Sequence, residues 1–124
     1  MRNVLLVGLG GFLGSIARYA LSGLVMRATT ANRFPLATLV VNVVGCLVMG
    51  ILTGLAERWH LFGSSARLFL LTGLLGGFTT YSAFAYETWF LGREQAWIAA
   101  VANVALHVTV GLGVLWLGHQ LVTR

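Results

Sequence analysis

Apolar residues fill four long runs, at 4–26, 36–55, 66–91 and 96–122, separated by short charged or turn-rich breaks. Each run supplies the roughly 20 residues that a helix needs to cross a hydrocarbon core about 30 Å thick, at about 1.5 Å of rise per residue. The pattern predicts an all-α membrane protein with four transmembrane helices and 1–124 as one domain. The first break runs from Arg27 to Arg33 and leads to Pro35, the only proline. A first helical position suits a proline, because an N–H there has no intrahelical partner. The second break, Glu57 to Ser65, closes on serines expected to cap the third helix. Arg93 and Glu94 mark the third. Met1-Arg2-Asn3 ahead of an apolar run resembles the start of a signal peptide, but the run is long and no A-x-A cleavage site follows. The run is therefore expected to stay as a helix, and no soluble domain, linker or low-complexity tail is expected.

The polar residues inside these runs carry the information, because they are costly at membrane depth and face a cavity or a partner. On the second helix Thr38, Asn42, Gly45, Met49 and Thr53 share one face. The fourth repeats the pattern with Asn103, His107 and Gly111. A lone membrane asparagine is most often a bond between helices, and His107 is read as a satisfied structural group. The third run contains TGLLGGFTTYSAF, from Thr72 to Phe84. Gly76 and Gly77, followed by Thr79, Thr80 and Ser82, are expected to break this helix near its middle. Unwound backbone survives at that depth only when buried in protein or lining a cavity. Such a break frees carbonyl oxygens near Leu75, suited to a cation, and N–H groups near Tyr81, suited to an anion. Tyr81 and Phe84, three apart, leave one face of the helix just beyond it, and the positive edges of their rings can accompany an anion. As an isolated pair they would only pack.

Composition narrows the class. Hydrophobic residues make up 58% of the chain and charged residues 9%, with eight arginines, no lysine and three glutamates. The net charge of +5 is spread over short loops, which suits contact with a lipid bilayer and excludes a nucleic-acid partner, since no basic cluster tracks a phosphate backbone. The single Cys46 excludes an internal disulfide and is read as buried filler. GLGGFLG at 8–14 fails as a dinucleotide fingerprint because Leu13 stands where the last glycine belongs and no strand surrounds it. Small residues at helical spacing, Gly10 and Gly14, Cys46, Gly50 and Gly54, Gly111 and Gly118, permit close approach of helices within one subunit or between two. Arg2, Arg58, Arg67 and Arg124 fall on one side of the membrane and Arg27, Arg33 and Arg93 on the other. Arginine placement sets orientation, so four against three predicts insertion in both directions and an antiparallel homodimer.

Three motifs together identify a relationship. Gly73-x-x-Gly76-Gly77-Phe78-Thr79-Thr80-Tyr81-Ser82-x-Phe84, Thr38-x-x-x-Asn42-x-x-Gly45 and Gly14-x-x-x-Arg18-Tyr19 resemble the Fluc/CrcB family of microbial fluoride channels, over essentially the whole chain. The resemblance implies a dual-topology antiparallel homodimer in a prokaryotic plasma membrane, with two fluoride pores lined by both subunits. It also implies a structural Na⁺ at the dimer centre, held by backbone carbonyls that fall by motif position on Gly76 and Thr79. Asn42 takes the place of the pore asparagine, and Tyr81 and Phe84 those of the paired pore phenylalanines. Fluoride is small and tightly hydrated, so converging donors must replace its water; Asn42, Ser82, Thr79 and Thr80 are candidates. Two positions depart from the family: Tyr81 adds a hydroxyl, and Gly111 stands where a serine is frequent, leaving Thr109 as the nearest hydroxyl on the fourth helix. Arg18, costing about 2.5–3.5 kcal/mol at a helix centre, is expected in a vestibule or interhelical anchor, with Glu87 as a candidate partner. Passive export needs no ATP, and the chain has no phosphate-binding loop; no enzyme activity is expected. A proton-coupled multidrug exporter of similar size would want a carboxylate on the first helix, which carries Arg18 and no acid. A non-transporting membrane subunit would explain the glycine faces but not a polar break.

Overall fold

The computed structural model describes residues 1–29, 34–59 and 62–124. Part of the first break, including Arg33, and His60 and Leu61 of the second lie outside the described residues. Helix α1 is Arg2–Ala28 and α2 is Leu36–Trp59. The third span, Ser64–Arg93, comes in two pieces, α3 (64–78) and α4 (Tyr81–Arg93), and α5 is Trp97–Thr123. All four spans are long and apolar enough to cross a membrane. No strand occurs among the described residues.

The ends of the helices follow local chemistry. Pro35 stands just before α2, not in its first turn, and its carbonyl accepts the Leu39 N–H at 3.2 Å. Gly63 in extended conformation holds the cap position of α3, and its carbonyl accepts the Arg67 N–H at 3.1 Å. The serines expected as caps are the first helical residues instead, and the Ser65 hydroxyl accepts from Arg2 at 3.4 Å. From Leu68 to Leu75 α3 widens into π-helical winding, a rare form that is frequent at functional sites. Arg58 at the end of α2 donates to the carbonyls of Val122 and Arg124 at 2.9 and 2.7 Å, which ties the end of α2 to the end of α5.

Glycine decides the packing. Gly10 and Gly14 of α1 lie on the backbone of α3: a Cβ at Gly10 would stand 2.8 Å from the Leu74 nitrogen, and one at Gly14 would run into the Leu74 carbonyl. Gly73 and Gly77 answer from α3, the latter 2.5 Å from the Gly11 carbonyl by the same measure. Between α2 and α5, Gly50 lies on the Leu115 carbonyl and Gly118 on that of Leu47. The stripes that were equally suited to a second subunit are used inside this one, because helices in lipid gain most where backbones meet. Gly50→Ala is therefore expected to lower thermal stability by about 1–3 kcal/mol through overpacking. Gly8→Ala, where an added Cβ meets nothing within 4 Å, should leave it unchanged or slightly higher. Thermal unfolding of both variants in detergent checks the pair; equal curves would contradict this packing.

Candidate functional site

The break between α3 and α4 consists of Thr79 (φ −81°, ψ 160°) and Thr80 (φ −148°, ψ 111°), both extended. It lies later than Gly76-Gly77, where the composition pointed. Gly76 is helical (φ −63°, ψ −36°), and no glycine among the described residues adopts positive φ. Two adjacent β-branched threonines favour extended backbone, while the glycine at 77 serves close approach to α1. Gly76 is exposed, with nothing within 4 Å of where its Cβ would be.

Asn42 of α2 closes the gap this break leaves in the hydrogen-bond ladder. Its Nδ2 donates to the Thr80 carbonyl at 3.1 Å and its Oδ1 accepts the Thr80 N–H at 2.9 Å. The amide thus pairs with a peptide unit as a neighbouring strand would, and these two partners fix which end is oxygen. One N–H of the amide is left over. Because the Thr80 N–H goes to Asn42, the carbonyl of Gly76 loses its helical donor. The Ala83 N–H goes to the Thr80 hydroxyl at 3.2 Å, so the Thr79 carbonyl loses its own. The Leu75 carbonyl, expected to be free, is taken twice, by the Thr79 N–H and by the Thr79 hydroxyl, each at 3.0 Å. That commitment turns the Thr79 hydroxyl proton away from any ion. Thr80 caps α4 and lies 3.3 Å from the hydroxyl of exposed Ser82.

These elements surround a cavity of about 400 Å³, lined by Asn42, Cys46 and Met49 of α2, the two threonines, Tyr81 and Phe84 of α4, and His107 of α5. The first turn of α4 opens on it. The Phe84 ring touches both neighbours, 5.6 Å from Tyr81 and 4.4 Å from His107 between centroids. Tyr81 is 81% exposed, so nothing in this subunit covers it. Gly45 makes room: a Cβ there would collide with the Thr79 methyl. Fully buried Asn103 donates to the Thr88 hydroxyl at 2.9 Å, and Thr88 donates to the Phe84 carbonyl at 2.8 Å. His107 Nδ1 bonds the Asn103 carbonyl at 2.9 Å, which makes it the protonated nitrogen and leaves buried Nε2 without a partner.

Other expected contacts are absent. Glu87 takes the Thr38 hydroxyl at 2.6 Å and has no ion pair with Arg18; its second oxygen is buried without a partner. Thr38 lies on α2 beside α4 and reaches the carboxylate within its own subunit. Half-buried Arg18 has no carboxylate within 4 Å among the described residues, where Glu57 is hydrogen-bonded to His119 at 2.9 Å. Thr109 is exposed, bonds the Ala105 carbonyl at 2.7 Å and does not line the cavity. Sequence reasoning undervalued Cys46 and His107, which line it; the helical stripes through Asn42 and Asn103 were the signal for both. No group of three metal-ligating His, Cys, Asp or Glu side chains exists among the described residues.

Comparison with known proteins adds an independent line. Residues 5–119 match the family described as CrcB-like protein, Camphor Resistance (CrcB). A protein named fluoride-specific ion channel FluC, from Methylobacillus flagellatus, is 50% identical over 122 residues, covering 98% of this chain and 95% of the relative. Proteins of the same name from Opitutus terrae (45%, covering 96% and 91%) and Nitratidesulfovibrio vulgaris strain Miyazaki F (43%, covering 95% and 94%) are similar over the same extent.

Proposed function

Since the chain belongs to the CrcB family of fluoride channels, we propose that it is a passive, fluoride-selective channel exporting the anion across a prokaryotic plasma membrane. The observation that carries this reading is the break clamped by Asn42, which opens the first turn of α4 onto a cavity bounded by aromatic rings. The N–H groups of Tyr81 and Ser82 begin that helix, where intrahelical acceptors are missing and the dipole favours an anion. Fluoride gives up its water only to several donors at once. The spare N–H of Asn42, the first turn of α4, the hydroxyl of Thr80 or Ser82 and the ring edges of Tyr81 and Phe84 meet that need without a fixed cation that would trap the ion. In acidic surroundings neutral HF crosses the membrane and dissociates inside, so an open path for the anion suffices for export.

The working unit is an antiparallel dual-topology homodimer with two pores. The near-even arginine count supports insertion in both orientations, and exposed Tyr81 and Gly76 leave surface for the partner to complete. A structural Na⁺ sits on the two-fold axis, held by the Gly76 and Thr79 carbonyls. Those two oxygens have lost their helical donors, and hard oxygen ligands suit an alkali cation better than a metal preferring nitrogen or sulfur. The ion would offset carbonyl charge at the break.

Efflux from proteoliposomes under a K⁺ diffusion potential is expected to continue when a protonophore collapses any pH gradient. Transport that stopped without the gradient would favour the proton-coupled exporter, which would then have to rest on Glu87, the acid farthest from the end of a span.

A further inference from the structure

A second cavity, of about 710 Å³, lies along the α4–α5 hairpin, walled by Trp89, Gly92 and Arg93 of α4 and Trp97, Ala100 and Val104 of α5. It shares no lining residue with the cavity at the break. The groove is apolar for most of its length and ends at a cation. Gly92 admits the Trp97 ring, whose Cζ3 would stand 3.3 Å from a Cβ at that position. The Arg93 guanidinium lies 5.6 Å from the centre of the Trp89 ring and has no carboxylate within 4 Å among the described residues. Neighbouring Glu94 is exposed and lies outside the lining.

We propose that this groove binds an anionic phospholipid, with one acyl chain along α4 and α5 and the phosphate on Arg93. The dimensions fit: Trp97 and Ala105 are separated by about 12 Å of helical rise, close to one leaflet of a hydrocarbon core about 30 Å thick. Trp89 and Trp97 flank the mouth at the level where tryptophan prefers to sit, between headgroups and chains. A guanidinium held by an aromatic face keeps its N–H fork for a phosphate, which it can meet with two parallel bonds. Charge argues against a second copy as the occupant. In the inverted pairing proposed above, the chain ends and the α2–α3 connection brought to this side carry Arg2, Arg58, Arg67 and Arg124 against one acidic side chain, Glu57, which is hydrogen-bonded to His119. A lipid phosphate supplies the missing anion. In a dual-topology dimer the two grooves would face opposite leaflets, one lipid in each.

The tryptophans provide the readout. In full-length protein carrying Trp59→Phe and Trp116→Phe, reconstituted in bilayers, emission from Trp89 and Trp97 should be quenched more by chain-brominated phosphatidylglycerol than by brominated phosphatidylcholine at equal content. Arg93→Gln should erase a preference of about fivefold, the worth of one arginine near an anionic surface, while phosphatidylcholine quenching stays the same. Equal quenching by the two lipids in the parent would overturn the assignment. Absence of quenching by either would also overturn it, placing a second copy over the groove. Neither result depends on whether fluoride is carried, so this inference and the channel reading fail separately.

Discussion

Asn42→Asp is expected to abolish fluoride efflux while leaving a folded dimer. The wild-type amide donates to the Thr80 carbonyl and accepts from the Thr80 N–H. Aspartate keeps the acceptor, loses the donor, and sets a carboxylate oxygen against the Thr80 carbonyl. It also places a like charge in the cavity an anion must cross. Two unit charges about 4 Å apart at an effective dielectric of about 20 repel by about 4 kcal/mol, roughly a thousandfold in occupancy. Asn42→Leu, which lacks the charge but also lacks the clamp, should reduce flux less. Phe84→Ile, which removes the ring between Tyr81 and His107, should fall in the same intermediate range. Efflux from liposomes checks the series once size-exclusion chromatography has shown intact dimers. Undiminished flux through an Asn42→Asp dimer would reduce the asparagine to a helix-packing residue.

Fixing the orientation is expected to have an equally complete effect. Two lysines added at the N-terminus should hold that end in the cytoplasm, and two added in the loop between α1 and α2 should hold it outside, because each tips a count of four arginines against three. Either version alone should fail to protect cells against fluoride, and the two expressed together should restore resistance. Full resistance from one fixed orientation would contradict an obligate antiparallel dimer.

The four spans were legible because length and apolarity determine them, and the boundaries moved by only a few residues, as at Ser64 and Trp97. The existence of a break and the start of its second half at Tyr81 were legible in the run of small and hydroxyl residues, but the end of the first half at Phe78 was not. Glycine signals both conformational freedom and close packing, and only the position of α1 shows that Gly77 serves the second. The same ambiguity hid the use of Gly10, Gly14, Gly50 and Gly118 inside one subunit. Asn42 stood out as a polar group in a span, yet its clamp on Thr80 joins residues 38 positions apart and leaves no periodic trace. Glu87 was legible as a costly charge. Its partner Thr38 was assigned to a different stripe, because periodicity along one helix does not say which helix lies opposite. Thr109 illustrates the reverse: its hydroxyl satisfies itself on the preceding turn, a choice always open to a threonine in a helix.

The most direct test of the account is the release of fluoride and chloride, each measured with an ion-selective electrode, from liposomes containing the purified protein and clamped at the same K⁺ diffusion potential. The account predicts rapid fluoride release with chloride release at the level of protein-free liposomes. Equal release of both anions, or none of either from a dimeric preparation, would contradict it.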